Sequence, residues 1–178
     1  MTIDISTLTT AEGIIIQGDV GIEAGVSVSN AGDINGDGID DVIIGASSGD
    51  DGGSNAGEAY IIYGGTNLSN IDLTTLTSSQ GLIIQGDAAG DNAGRSVSAA
   101  GDINGDGIDD VIIGAPNGDD DGNAAGEAYI VYGGTNLSNI DLSTLTSSQG
   151  IIIQGDAAFD QVGRSVSAAG DILSLIHI

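Results

Sequence analysis

The sequence feature that most constrains the fold is an internal repeat with a period of 69 residues. Asp33, Asp102 and Asp171 open the same segment, and each lies 69 residues after the previous one. The run G-I-I-I-Q-G-D also recurs in nearly the same form, at 13–19, 81–87 and 150–156. Units of this kind cannot bury their apolar faces alone and pack against their own copies. The chain is therefore expected to be a row of similar structural units.

Each repeat is predicted to form four β-strands. In the second copy they are expected at 94–100, 110–115, 126–133 and 150–155. Gly, Asn and Asp clusters bound these runs, as hairpin turns require, and Asp141 is placed to cap a short helical turn. Apolar runs such as V-I-I and I-I-I indicate sheets that are buried on both faces. The predicted fold class is all-β, a partial β-propeller of four-stranded antiparallel blades, with a β-solenoid as the alternative.

A short acidic loop separates the first two predicted strands of each repeat. It reads D-I-N-G-D-G-I-D-D, with oxygen-bearing side chains at positions 1, 3, 5 and 9 and an isoleucine carbonyl at position 7. Ca²⁺ takes about six to eight oxygen ligands of these kinds, and a cation relieves the repulsion between crowded carboxylates. Calcium is therefore the predicted cofactor. The predicted ligands are Asp33, Asn35, Asp37, Ile39 and Asp41 in the first loop, and Asp102, Asn104, Asp106, Ile108 and Asp110 in the second.

The loop pattern has three alternative interpretations. An EF-hand needs a bidentate Glu at position 12, where this chain has Ile44 and Ile113, and a dockerin-type loop fails at the same position. The β-branched V-I-I that follows favours a strand over the second helix of an EF-hand. An Asx and glycine surface turn without an ion is the remaining alternative.

Composition excludes some partners and favours one location. The chain has 26 Asp and Glu against two Lys and Arg, which gives a formal charge of −24. No basic patch for nucleic acid can be built from two cations, and anionic membrane surfaces are disfavoured. Arg95 and Arg164 are expected to pair with neighbouring carboxylates. The chain has no cysteine, and calcium loops of this kind are typical of extracellular modules, so an extracellular or cell-surface location is expected.

The acidic loop and the residues after the second strand resemble a known family. The segment from Gly101 to Pro116, with its Gly-Ala-Pro ending, is similar to the FG-GAP repeat of integrin α-subunit propellers and of bacterial surface and secreted proteins. The resemblance implies a β-propeller with Ca²⁺ in the loops joining strands A and B, held by the ten residues named above. Two departures favour a bacterial relative: Ser47 replaces the proline in the first copy, and Ala or Val replaces the phenylalanine at Ala24-Gly25, Ala93-Gly94 and Val162-Gly163.

The repeat register predicts the domain organisation. Residues 1–24 are expected to end a preceding blade, whose outer strand is 13–18, and the two whole blades are 25–87 and 94–156. Residues 163–172 are expected to start a third repeat. The tail L-S-L-I-H-I at 173–178 does not continue the repeat and is expected to be a non-native, adapter-encoded end. Two blades cannot close a ring, so the chain is expected to be a fragment whose partners include the remaining blades.

These features predict a calcium-binding segment of an extracellular adhesion or ligand-binding protein. The expected partner is an extracellular protein or glycan, with no nucleic acid and no membrane insertion. No catalytic constellation is predicted, because the sequence offers no nucleophile with a base beside it. Glu58 and Glu127 are expected to be solvated or to anchor a loop. The alternative is the non-catalytic propeller scaffold of a secreted enzyme, for example one that acts on polysaccharide.

Overall fold

The computed structural model describes residues 8–9, 13–66, 68–120 and 122–168. The segment at 173–178 and the last residues of 163–172 lie outside this part of the chain, as do most of residues 1–12. The strands are β1 (Ile16–Gln17), β2 (Ala24–Gly32), β3 (Asp41–Ala46), β4 (Glu58–Ile62), β5 (Ile71–Asp72), β6 (Gly81–Gln85), β7 (Ser96–Gly101), β8 (Asp110–Ala115), β9 (Glu127–Val131), β10 (Ile140–Asp141) and β11 (Gly150–Gln154). None of the described helical segments is long and apolar enough to cross a bilayer.

The long strands form two antiparallel sheets, which confirms the predicted all-β fold class. The first has the order β2-β3-β4-β6, and the second has the order β7-β8-β9-β11. Each sheet is therefore a meander of four strands in chain order, as a propeller blade requires. The register repeats as well: Val42 pairs with Ile62 in the first sheet, and Val111 pairs with Val131 in the second.

A short strand in the connector of each blade pairs in parallel with the last strand of the preceding unit. The connector after β9 forms β10, which pairs with β6 of the first blade through Ile140 and Ile84. In the same way β5 pairs in parallel with β1. Each connector then makes a single 3₁₀ turn, in which the Asp72 or Asp141 side chain accepts a hydrogen bond from the N–H two residues later. The cap at Asp141 confirms the predicted turn, whereas the parallel pairing was not predicted.

The main hydrophobic core lies between the two blades. β2 packs against β7, and one cluster of buried residues includes Ile43, Ile61 and Ile84 from the first blade and Val111 and Tyr129 from the second. A second cluster covers the opposite face of the first blade and includes Ile44, Tyr60 and Leu73. The runs V-I-I and E-A-Y-I-I thus send alternate residues to opposite faces of a sheet that is covered on both sides.

Glycines let the backbones of the two blades touch. A Cβ added to Gly45 would lie 1.9 Å from the Gly94 carbonyl oxygen, and a Cβ on Gly94 would lie 2.1 Å from the Glu58 carbonyl oxygen. The same contact recurs one repeat later between Gly114 and Gly163, again at 1.9 Å. We call β2 and β7, the first strands of the two blades, the inner strands. Gly94, just before β7, and its equivalent Gly163 therefore each meet the glycine near the end of the second strand of the preceding blade. Any larger residue at either position would force the blades apart.

The two outer faces of the pair of blades carry residues equivalent to those buried in the interface between the blades. Val97 and Val111 are buried there, while their equivalents in the first blade, Val28 and Val42, are 59% and 37% exposed. On the other face, Ile153 is 42% exposed although its equivalent in the first blade, Ile84, is fully buried. The outer face of the second blade is therefore equivalent to the side of the first blade that the second blade covers. The two outer faces are complementary to each other in the same way as the two sides of the buried interface.

We expect the 178-residue chain to associate head to tail in solution because of these two faces. Ile153→Glu or Val28→Glu should shift the weight-average mass in sedimentation toward the monomer, since either change places a charge in an apolar contact. Phe159→Glu is the matched control, because Phe159 is 72% exposed and lies outside all the strands that form these faces. Monomeric wild type, or equal effects of all three substitutions, would contradict the expectation.

Candidate metal centre

Two acidic loops occupy equivalent places in the two blades. The first joins β2 to β3, and the second joins β7 to β8. Each turns sharply at two glycines with positive φ, 74° at Gly36 and 89° at Gly38 in the first loop, and 79° at Gly105 and 90° at Gly107 in the second. These φ values lie in the region where a side chain is disfavoured. The glycines thus let the chain fold back around the acidic side chains.

The side chains at positions 1, 3 and 5 are held by backbone N–H groups of their own loop. In the second loop, Asp102 Oδ1 accepts from Asp106 N at 3.0 Å, and Asp102 Oδ2 accepts from Gly107 N at 2.9 Å. Asn104 Oδ1 accepts from Asp106 N at 2.8 Å, and Asp106 Oδ1 accepts from Ile108 N at 2.9 Å. The first loop repeats the pattern with Asp33, Asn35 and Asp37. The loop therefore positions its oxygen donors without help from other side chains.

The carboxylate at position 9 is buried and joins the loop to a distant connector. Asp110 is fully buried and accepts from Ile103 N at 2.8 Å and from Gly133 N at 2.9 Å. Its counterpart Asp41 is 1% exposed and accepts from Ile34 N at 3.2 Å and from Gly64 N at 2.7 Å.

The pKa of each position-9 carboxyl is raised, although two N–H groups donate to it. Burial raises the pKa of Asp41 to about 6, and repulsion from Asp37 and Asp33 adds to the effect. Burial likewise raises the pKa of Asp110, with repulsion from Asp106 in the same direction. A nearby cation would reverse this balance, because it favours the charged carboxylate.

The donor chemistry of each loop fits a hard cation, although no cage is preformed. Among residues 8–9, 13–66, 68–120 and 122–168, no three His, Cys, Asp or Glu side chains converge as a metal-binding group. Each loop has three carboxylates among its five candidate donors, the others being an amide and a main-chain carbonyl. All five are oxygens, the ligand type that Ca²⁺ prefers. The ten predicted ligands therefore lie in two loops, five in each, and their convergence on an ion stays a prediction.

Asp109 links the two loops and was not predicted to have a role. Its Oδ2 atom accepts from Asp33 N at 3.0 Å, across the boundary between the blades. A second bond between the blades runs from Gly134 N to the Ile34 carbonyl oxygen at 2.9 Å. The sequence signal was the doubled Asp-Asp at the end of each loop, of which only the second Asp was assigned. The first of the pair in the second loop is the one that reaches the neighbouring loop.

Glu58 and Glu127 are buried and are not solvated. Each is 2% exposed, and each accepts a hydrogen bond from the tyrosine hydroxyl two residues later, Tyr60 or Tyr129. Glu58 Oε1 also accepts from Asp51 N at 3.0 Å. Burial raises the pKa of Glu127, and burial together with the glutamate raises the pKa of Tyr129 well above its ordinary value. Of the two roles expected for these glutamates, the solvated one is wrong for both, and the bond from Asp51 N supports the loop anchor for Glu58.

A further buried carboxyl, Asp91, gives a prediction about pH. Burial raises its pKa from 3.8 to about 6, and Asp119 and Asp87 add repulsion. The folded state therefore binds this proton more tightly than the unfolded state. The stabilisation that the folded state gains from the protonated Asp91 carboxyl is complete below pH 3.8 and is lost as the pH rises through 6. In chelator, we expect the urea midpoint to fall between about pH 4 and pH 6.

The test of this expectation is a comparison of two substitutions. Asp91→Asn should flatten the fall in the urea midpoint, because asparagine keeps an acceptor for Ala88 N, which donates to Asp91 at 3.1 Å. The exposed Asp156→Asn is the control and should leave the slope as it is. A wild-type midpoint that rises over this pH range would contradict the assignment.

Comparison with known protein families agrees with this architecture. A family model for the FG-GAP repeat matches residues 24–62 and 93–131. The chain contains two FG-GAP repeats. Each match begins at or just before an inner strand and ends with the third strand of the sheet, so it covers the acidic loop. The matches also contain Gly45, Gly94 and Gly114 of the contacts between blades. No curated protein matches the chain. The FG-GAP repeats and the antiparallel sheets together establish a module built from β-propeller blades.

Proposed function

We propose that this chain is the calcium-stabilised FG-GAP propeller segment of an extracellular adhesion or ligand-binding protein. The observation that carries the proposal is the same five-oxygen loop in both blades, with a buried carboxylate at position 9 that joins each loop to a connector. A solvated surface turn has no need for a fully buried, charge-bearing Asp110 beside two further acidic residues. A cation that neutralises the loop accounts for all of these features.

The loop residues have separate tasks in this proposal. Asp102, Asn104, Asp106 and Asp110, with the carbonyl of Ile108, would hold the second ion, and Ca²⁺ would supply the positive charge that the loop lacks. Asp33, Asn35, Asp37 and Asp41, with the carbonyl of Ile39, would hold the first. The position-9 carboxylate keeps each loop against its connector through Gly64 N or Gly133 N. Asp109 keeps the first loop against the second.

The role is binding and support, without catalysis. A formal charge of −24 attracts divalent cations and repels nucleic acid. Free Ca²⁺ high enough to fill sites of moderate affinity is found outside the cell, which is where the proposal places the protein. The end of the blades opposite the acidic loops would face an extracellular protein or glycan ligand.

The proposal is tested by titrating Ca²⁺ into the chelated 178-residue chain and following its thermal unfolding. Ca²⁺ at a hundredfold excess over its dissociation constant stabilises a protein by about 2.7 kcal/mol per site, so the melting temperature should rise clearly. Asp106→Asn should reduce the rise while leaving the chelated protein almost unchanged, because Asp106 is exposed. The exposed Asp156→Asn, outside both loops, is the control. An unchanged melting temperature in wild type would refute calcium binding.

A further inference from the structure

A polar cavity lies at the opposite end of the inner strands from the acidic loops. Arg95 precedes β7 and Asp102 follows it, so they are separated by a six-residue strand of about 20 Å. The cavity has a volume of about 400 Å³. Six of the residues that line it come from the segments around the inner strands and from the loop after β8: Val26, Asn92, Arg95, Asn117, Gln161 and Arg164.

The repeat brings equivalent residues of successive units to this one cavity. Val26, Arg95 and Arg164 hold the same position in three consecutive repeats, directly after Gly25, Gly94 and Gly163. Asn92 and Gln161 are equivalent as well, and both have positive φ, 59° and 54°. A single repeat would supply only one of the two arginines. The cavity is therefore a product of blade packing.

The charge of this cavity is opposite to that of the rest of the chain. Its lining contains both arginines and no acidic residue, although the chain has 26 Asp and Glu. Among the described residues, the Arg95 guanidinium forms no hydrogen bond or ion pair. Arg164 Nη1 donates only to the neutral Gln161 Oε1, at 2.7 Å. Within the part of the chain that the structure describes, the expected pairing of these arginines with carboxylates is not found, and their positive charge is available to a ligand.

The amides of the cavity are oriented by neighbouring groups. Asn92 Nδ2 donates to the Ser47 carbonyl oxygen at 2.8 Å, and Asn117 Nδ2 donates to Asn92 Oδ1 at 2.6 Å. Guanidinium groups match a carboxylate with two parallel hydrogen bonds, while amide side chains both donate to and accept from hydroxyl groups. The cavity therefore combines donors for one carboxylate with partners for several hydroxyls.

We propose that this cavity binds the carboxylate of a sugar acid, such as a uronic acid residue of a glycan. A polymer with closely spaced charges is disfavoured by the net charge of −24, whereas one carboxylate needs only the local pair of arginines. The volume lies within the range of small-ligand sites. The sugar acid would be the ligand of the binding function proposed above, and the inference rests on that ligand-binding role.

The test is a titration of the calcium-loaded 178-residue chain, followed by NMR or calorimetry, with methyl glucuronide as the probe. Methyl glucoside is the matched neutral control, and acetyl-glutamate amide presents the same carboxylate on a peptide. We expect binding of the glucuronide in the millimolar range, with at least tenfold weaker binding of both other compounds. Arg95→Gln and Arg164→Gln should each weaken glucuronide binding about tenfold. Val26→Arg should strengthen it, since it adds a third arginine at the equivalent position.

The outcomes separate this inference from the calcium proposal. The rise in melting temperature with Ca²⁺ should be the same in wild type and in both Arg→Gln variants, because the cavity and the loops are at opposite ends of the strands. No glucuronide binding, or equal binding of glucuronide and glucoside, overturns the carboxylate site while leaving the calcium result intact. Equal or tighter binding of the peptide compound overturns the assignment to a sugar acid.

Discussion

Replacing Asp110 by alanine should lower the free energy of unfolding by about 3 kcal/mol, even in the presence of a chelator. Ile103 N and Gly133 N would each lose their acceptor inside the protein, and a buried unsatisfied donor costs about 1–3 kcal/mol. In Ca²⁺ the loss should be larger, because the stabilisation that the second ion provides disappears as well. The measurement is urea unfolding of wild type and variant, with and without Ca²⁺.

Two further substitutions separate the structural role of Asp110 from its role towards the ion. Asp110→Asn keeps one acceptor oxygen and should cost less than alanine in chelator, yet it should lose as much of the calcium response. Asp106→Asn should have little effect on the free energy of unfolding in chelator, but it should reduce the stabilisation by Ca²⁺. If Asp110→Ala and Asp106→Asn had equal effects in chelator, the anchoring role of position 9 would be disproved.

Replacing Gly94 by alanine should destabilise the protein by more than about 4 kcal/mol, or prevent folding altogether. The added Cβ would lie 2.1 Å from the Glu58 carbonyl oxygen and 3.1 Å from Ala46 N. Both are backbone atoms of the neighbouring blade, so they cannot move aside as the end of a flexible side chain could. Gly94 also has a φ of 79°, which alanine adopts only with strain.

Gly90→Ala is the matched control for this prediction. Gly90 has a φ of 99°, and nothing lies within 4 Å of an added Cβ, so only the backbone strain of about 1 kcal/mol should be seen. Urea midpoints of the two variants give the comparison. Similar losses at Gly90 and Gly94 would show that the close contact between blades contributes little.

The strands and their order could be read from the sequence because their signals are local. The V-I-I run is apolar and β-branched, Gly and Asn clusters bound it, and β8 lies at Asp110–Ala115, where it was expected. The acidic loops were equally readable, since the spacing from Asp102 to Asp110 determines which oxygens share one turn. The short strand β10 was missed because it has only two residues and pairs with β6, more than fifty residues earlier.

Contacts between blades could not be predicted, because they depend on how two sheets face each other. Asp109 looks the same in the sequence as Asp40, its equivalent in the first repeat, yet Asp109 accepts from Asp33 N of the neighbouring loop. Arg95 was expected to pair with a neighbouring carboxylate, but the packing of the blades places it at a cavity that no carboxylate lines.

The sequence by itself determined the period, the all-β class, the strand positions and the five oxygens of each loop, since each of these is a pattern among residues close along the chain. Only the tertiary structure decided that the Gly45 and Gly94 backbones touch, that the two acidic loops are joined through Asp109, and that both arginines line one cavity. These residues are tens of positions apart, and the rotation between neighbouring blades alone brings them together.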